Sequence, residues 1–258
     1  MKPLCKIQRD DGILLVTLNR PEKLNALTQQ MHHELEAIWN GFYDDPDLRV
    51  AILTGAGDRA FSVGSDLSAY ETDTKPYPLE HGYAGLTHRK GATKPIIAAV
   101  NGLALGGGFE VLLCCDLVVA SEHAEFGLPE PLVGLAALGG GIPRLCRKLP
   151  FNKAMELLLT SERMSAAEAL TWGLVNRVVP TGQSVEAARE LARRIIRCAP
   201  LAIQVTKQLA DTTLDGTSIE DVLALEDSAP KDLLMNSDDA REGIRAFFEK
   251  RTPQWNRE

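Results

Sequence analysis

Two glutamates stand out in the chain as groups placed to move protons. Glu110 follows Gly106-Gly107-Gly108-Phe109 and heads the apolar run Val111 to Cys115, where it is the one polar residue in a stretch that reads as a buried helix. Glu130 ends Phe126-Gly127-Leu128-Pro129-Glu130. Between the two acids, Asp116 breaks the helix and Leu117 to Ala120 reads as a strand. A helix of about nine residues carries the chain roughly 13 Å from its start, and a returning strand of five or six residues covers roughly 17 to 20 Å. Glu130 is thereby expected at the level of Glu110. The glycines before the helix let a ligand approach the backbone, and the first N–H groups of a helix point outward toward an anion. Backbone donors beside two carboxyls are what chemistry next to a carbonyl requires: stabilisation for a developing oxyanion and groups that hand protons on.

A second group of donors is offered by Gly64-Ser65-Asp66-Leu67, a glycine turn feeding an apparent helix start. An ordinary helix N-terminus capped by Ser65 or Asp66 fits the same residues. Val133 to Gly141, VGLAALGGG, suits either a pocket wall or a tight packing loop. Residues Ala69 to Gly85 are polar, carry Pro76, Pro78, Gly82 and the tyrosines 70, 77 and 83, and are expected to form a mobile loop over the pocket.

The elements that must position these groups follow from periodicity. Asp11-Gly12 predicts a hairpin turn before the strand Ile13–Leu18. A helix is expected from the N-cap Thr28 to about Tyr43, with Met31, Leu35, Ile38, Trp39 and Phe42 at helical spacing. Strands are expected at Val50–Thr54, at Ile96–Val100 and over Gly173–Val179, with a short extended piece at Phe61–Val63. Two helical pieces flank Pro150, and Ser165-Ala166-Ala167-Glu168 forms a capping box. Beyond Ser184 only helices are expected, at roughly 184–198, 201–213, 218–229 and 237–250. The division expected is a core over 1–183 and a helical oligomerisation region over 184–258.

Composition narrows the chemistry. With 258 residues, 45% of them hydrophobic, the chain can bury a full core. A net charge of −7 argues against nucleic-acid and anionic-membrane partners, which need an excess of basic surface. The N-terminus MKPLCKIQRDDG has neither the apolar core of a signal peptide nor the character of a transit peptide, so a cytoplasmic location is expected. The five cysteines lack C-x-x-C spacing and read as reduced thiols in the core. His32, His33, His81, His88 and His123 match no metal spacing, and neither a G-x-S-x-G elbow nor a P-loop is present. Gly55 to Ala60 matches G-x-G-x-x-A after a strand, but no helix follows it as a dinucleotide site requires.

Phe61 to Leu67, Ala99 to Glu110 and Phe126 to Glu130, with Arg20 to Leu27 and Ala169 to Asn176, together resemble the crotonase superfamily, the enoyl-CoA hydratase/isomerase family. Gly-Gly-Gly-Phe-Glu and the ending Phe248 to Pro253 also resemble its carnitinyl-CoA dehydratase branch. The resemblance implies an α/β fold, a crotonase-like spiral of ββα repeats with a C-terminal helical trimerisation region, assembled as homotrimers or hexamers. It implies an acyl-CoA thioester substrate, with coenzyme A belonging to the substrate and neither a separate cofactor nor a metal. By motif position, the amides of Ser65 and Gly107 would form the oxyanion hole, Glu110 would activate water and Glu130 would exchange the Cα proton. Gly64, Asp66, Leu67, Ala26, Gly106, Leu128 and Leu138 would contact substrate. The implied activity is enoyl-CoA hydration, with dehydration of a carnitinyl-CoA-like substrate, Δ-isomerisation or a non-catalytic, RNA-associated role as alternatives. Two positions depart from the hydratase pattern. Ser68 stands where many hydratases carry a lysine near the CoA phosphates, and Ala137-Leu138 replaces a Pro-Gly pair beside the water site.

Overall fold

The computed structural model describes residues 3–66, 80–214 and 216–255. Two sheets run through the core. The larger has the order β1 (Cys5–Asp10), β2 (Ile13–Leu18), β3 (Val50–Gly55), β5 (Ile96–Val100), β7 (Leu117–Ser121) and β10 (Arg177–Val179). Only β1 and β2, joined at Asp11-Gly12, pair antiparallel; the later pairings are parallel. The smaller sheet has the order β4 (Ala60–Ser62), β6 (Leu103–Leu105), β8 (Glu125–Gly127) and β9 (Met164–Ser165).

Chain order makes these sheets a spiral. Each turn lays one strand in the large sheet and the next in the small one: β3 then β4, β5 then β6, β7 then β8. The second turn closes with helix α2 (Gly107–Leu113), and the third leads to α3 (Gly141–Lys148) and α4 (Phe151–Thr160). The first is preceded by α1 (Gln29–Asp44), which begins where expected, with the Thr28 hydroxyl accepting from the Met31 amide. Its buried stripe is Met31, His32, Leu35, Trp39 and Phe42.

Alternation along the strands gives the large sheet two apolar faces. Leu14, Val16, Ala51, Leu53, Ala98, Val100, Val118 and Ala120 join the main core with α1 and α2. Ile13, Leu15, Val50, Ile52, Ile97, Ala99 and Val119 face the other way and are packed by Ala188 and Ala192 of α6 (Ser184–Ile196). The helical region expected from residue 184 therefore opens with a helix that belongs to the core sheet. The small α5 (Ala166–Thr171) starts at the expected capping box, with Ser165 and Glu168 each accepting from the other's backbone.

Helices α7 (Pro200–Leu214), α8 (Ile219–Glu226), α9 (Ala229–Met235) and α10 (Asp238–Glu249) follow. The helix expected over 218–229 is α8, which ends at Glu226, and α9 is a further helix not expected from the sequence; Pro230 in its first turn cannot supply the N–H that continuation of α8 needs. The expected strand over Gly173–Val179 shortens to β10, with Gly173 at φ +78° in the turn before it. Leu214, Ile219, Leu223, Leu233, Met235, Ile244, Phe247 and Phe248 are exposed in the single chain. Among the described residues, no helix is long and apolar enough to cross a membrane.

Candidate active site

The site is built where the first turn of α2 meets the ends of β4 and β8. Gly106 precedes the helix with φ +53°, and its amide bonds the Gly127 carbonyl at the end of β8. One helical turn on, Glu110 is 5% exposed, and its Oε1 accepts the Gly141 amide at 2.9 Å. The Gly139 amide also reaches this carboxyl. A β-carbon on Gly139 would lie 2.5 Å from Glu110 Oε2, and one on Gly141 would lie 2.9 Å from Oε1. Closure of the loop around the carboxylate thus depends on glycine. Of the two readings of Val133 to Gly141, the residues at its end form the wall against Glu110.

Glu130 lies beyond β8 at the start of a 3₁₀ turn, Glu130–Val133. Its Oε1 is 3.4 Å from where a Gly106 β-carbon would be, so its carboxyl abuts the N-terminus of α2. Its Oε2 is buried with no hydrogen-bond partner among the described residues, an uncommon arrangement in folded proteins. Burial pushes the Glu110 carboxyl above the usual carboxylate range, partly opposed by the Gly141 and Gly139 amides and the Arg144 guanidinium. Burial also raises Glu130, where its own amide opposes the shift and the Glu110 charge adds to it. Glu110 thus has two loop amides and a guanidinium to support its anion, whereas Glu130 has only its own amide.

Gly64 and Ser65 run alongside the same helix start. At φ +88°, Gly64 lies so close that a β-carbon there would be 2.7 Å from the Gly107 nitrogen. Ser65 forms a parallel bridge with Leu27, for which the Leu27 amide bonds Gly64 O and the Asp66 amide bonds Leu27 O; the helix start expected after it lies outside the described residues. Among the described residues, the amides of Ser65 and Gly107 have no hydrogen-bond partner, and the close approach of Gly64 to Gly107 brings the two segments side by side. The Asp66 Oδ2 takes both Nη1 and Nη2 of Arg20 at 3.0 Å. Arg20 also bonds Ala26 O, and fully buried Asn25, at φ +56°, binds the Ala60 carbonyl. These bonds hold the 20–27 segment against β4 and fix the Gly64-Ser65 backbone.

Of the remaining expected contacts, Ala26 is buried beside this bridge and Leu128 is packed in the core. Leu138 is 80% exposed, so its bulk does not fill the interior around Glu110. Leu67 and Ser68 lie outside the described residues, as does 69–79 of the expected loop. Its end is not loose. Tyr83–Gly85 is a 3₁₀ turn held against α1, with Tyr83 Oη 3.0 Å from Ser65 Oγ. Arg144 ties this segment to the glycine wall by donating to Thr87 O at 2.7 Å and to Gly140 O at 3.4 Å. Sequence reasoning missed Tyr83, Arg144 and Arg20 as parts of the site; the glycines flanking Tyr83-Ala84 were the one available sign of a constrained turn.

Cys5 and Cys115 are core residues and Cys114 and Cys146 pack against the core, with burial raising both Cys114 and Cys115, whereas Cys198 is exposed and departs from the expected core placement. Glu36, Glu80 and His81 bring possible ligand atoms within 4.8 Å of one another, but Arg89 stands 3.7 Å from Glu36 and supplies positive charge there.

Comparison with known proteins accounts for this arrangement. Residues 8–258 match the model of the enoyl-CoA hydratase/isomerase family. The carnitinyl-CoA dehydratases of Salmonella arizonae and Proteus mirabilis are 41% and 43% identical to the chain, over 99% and 95% of both sequences. A crystal structure of enoyl-CoA hydratase from Mycobacterium tuberculosis superposes with a TM-score of 0.92 at 38% identity, each chain fully covered. Another, from Mycobacterium marinum, gives 0.93 at 38% identity over 98% of this chain and 99% of that one. With its spiral of ββα turns, its paired glutamates and matches over nearly its whole length, the chain belongs to the enoyl-CoA hydratase/isomerase family.

Proposed function

We propose that the protein is an acyl-CoA lyase that adds water across the α,β double bond of a 2-enoyl-CoA and removes it in the reverse direction. The observation that carries this is a buried carboxyl, Glu110, and a half-buried one, Glu130, in unequal environments around the start of the helix that also carries the unpartnered Gly107 amide. In this reading the amides of Ser65 and Gly107 hold the thioester oxygen. Glu110, supported as an anion, takes a proton from water as the water oxygen bonds Cβ. The electron pair of the double bond moves toward the thioester oxygen, and Glu130, in its protonated form, delivers its proton to Cα. Dehydration of a 3-hydroxyacyl-CoA reverses each transfer. Gly64 and Gly106 serve by admitting the thioester close to the backbone, whereas Asp66 acts through Arg20.

A second reading has support of its own. The names of the dehydratases that share 41–43% identity with the chain favour carnitinyl-CoA, or a related 3-hydroxyacyl thioester, as the natural substrate and dehydration as the direction. Isomerisation needs one well-placed carboxyl and leaves the second without a task. An RNA-associated role is disfavoured by the charge of −7. We further propose that the exposed apolar residues of α8 to α10 are covered by copies of the chain in a trimer or hexamer, and that the protein is cytoplasmic.

The test is a panel of enoyl- and 3-hydroxyacyl-CoA thioesters, carnitinyl-CoA included, followed at the absorbance of the conjugated thioester. Glu110→Gln and Glu130→Gln are each expected to lower turnover by at least ~10²-fold with acyl-CoA binding nearly retained. Near wild-type turnover in either variant would remove that residue from the mechanism.

A further inference from the structure

Tyr83 is held in place more firmly than a residue filling space requires. The turn that carries it includes three positions in the left-handed region: Gly82 at φ +74°, Ala84 at φ +53° and Gly85 at φ +67°. Ala84 is the telling one, because an L side chain adopts that conformation only where its surroundings impose it. Here α1 imposes it. His32 Nδ1 accepts the Ala84 amide at 2.9 Å, and Trp39 Nε1 donates to the Ala84 carbonyl at 3.0 Å. Burial pushes the proton affinity of His32 down to about 3, so the ring stays neutral and Nδ1 stays an acceptor. The Thr87 hydroxyl accepts the Tyr83 amide at 2.8 Å, and the His32 ring packs edge-on against the phenol with centroids 4.4 Å apart.

The result is a phenol hydroxyl at the junction of the two backbone donors. It lies 3.0 Å from Ser65 Oγ, and a β-carbon on Gly107 would lie 2.5 Å from it. Phenylalanine would fill the same space without a hydroxyl. A tyrosine O–H keeps its proton up to about pH 10, so unlike a carboxyl it is a donor throughout the neutral range. We propose that Tyr83 contributes a third hydrogen bond to the substrate, its O–H turning from Ser65 Oγ to the thioester oxygen held by the Ser65 and Gly107 amides. The bond shortens and strengthens as that oxygen gains negative charge. The inference rests on the acyl-CoA reading above, and it places α1 in the catalytic apparatus through His32 and Trp39, which act as positioning residues.

The experiment uses Tyr83→Phe in the full chain with two readouts. The first is kcat on the best thioester of the panel. The second is the absorbance maximum of enzyme-bound 4-(dimethylamino)cinnamoyl-CoA, which moves to longer wavelength as the thioester carbonyl is polarised. The spectrum reports bound ligand alone, so a change in folded fraction does not enter it. The expected result is a kcat lower by roughly 10- to 100-fold together with a smaller red shift. An unchanged red shift overturns the proposal whatever the turnover, because a lower kcat without it would mark a packing role. Glu110→Gln, measured alongside, should lose turnover and keep the full red shift. If Tyr83→Phe keeps both readouts while Glu110→Gln loses turnover, the third donor fails and the lyase reading stands. If the wild-type protein gives neither turnover nor a red shift, both fall together.

Discussion

Replacing Gly107 with alanine sets one methyl group against the phenol of Tyr83. The added carbon would stand 2.5 Å from the hydroxyl, 2.6 Å from Cζ and 2.8 Å from Cε1, so the ring must withdraw by about 1 Å to reach ordinary carbon contact near 3.5 Å. Gly107 is not among the glycines with positive φ, and it is the first residue of α2. Alanine therefore brings no backbone strain, and it gains up to ~1 kcal/mol in helix propensity. Withdrawal of the ring breaks its bond to Ser65, costing about 0.5–1.5 kcal/mol, and disturbs its contact with His32, costing about 0.5–1.5 kcal/mol. The net loss expected is ~1 kcal/mol, or about 2–4 °C in melting temperature for a chain of this size. Activity should fall much further, because methyl and displaced ring both enter the space proposed for the thioester oxygen. Loss of one oxyanion donor costs on the order of 10²- to 10³-fold, and a decrease in that range is expected. The assay is ligand-free melting and single-turnover rate on one preparation, with the rate scaled to the folded fraction. A wild-type rate per folded molecule would refute the oxyanion assignment. A fall in melting temperature beyond ~10 °C, with activity tracking it, would show that the glycine serves packing.

Three further outcomes are expected. Both carboxyls hold their protons more tightly in the folded chain than in the unfolded one, so stability falls as pH rises from the ordinary carboxylate range through their raised values. Glu130→Gln should therefore melt no lower than wild type at neutral pH, with any advantage fading in acid; a deficit that grows toward neutrality would contradict the burial argument. Asp66→Ala strips Arg20 of both 3.0 Å bonds and should cost about 1–3 kcal/mol; a double-mutant cycle with Arg20→Ala that gives no coupling would show the pair to be incidental. Ending the chain at Ala199 removes α7 to α10 and the Lys207 ion pair to Asp116, and should give aggregation or a smaller species by light scattering; native mass with full solubility would show those helices dispensable for assembly.

Periodic burial made most of the framework readable. The stripe on α1, the runs in β2, β3, β5 and β7, and the capping box at Ser165 all carry their signal within a few neighbouring residues. β6 and β9 escaped because strands of two or three residues hold less than one full alternation, and their pairing partners are remote in sequence. The helix start expected after Gly64 lies beyond Asp66, outside the described residues. What neighbouring residues did not reveal is that the conformation of Ser65 is set by its bridge to Leu27 and that the carboxyl of Asp66 is held by Arg20, both of them tertiary contacts. Glu110 and Glu130 were legible because acids in apolar, glycine-marked surroundings are rare. Tyr83 was not, since its importance lies in the distance to Ser65 and Gly107 across three segments of chain.

The apolar face of the large sheet that α6 covers has a consequence for synthesis. By the time Ser121 has left the ribosome, β2, β3, β5 and β7 can pair, and Ile13, Leu15, Val50, Ile52, Ile97 and Val119 then form one open surface. Ala188 and Ala192 arrive only after the small sheet and α3 to α5 have been made. At about 5–20 residues per second, that surface stays open for several seconds on every nascent chain. Such an interval is long enough for a holding chaperone to bind, or for neighbouring chains on the same message to stick to one another. Chains arrested between Ser121 and Ser184 should accordingly expose this face of the sheet, while arrest beyond Ile196 leaves it covered.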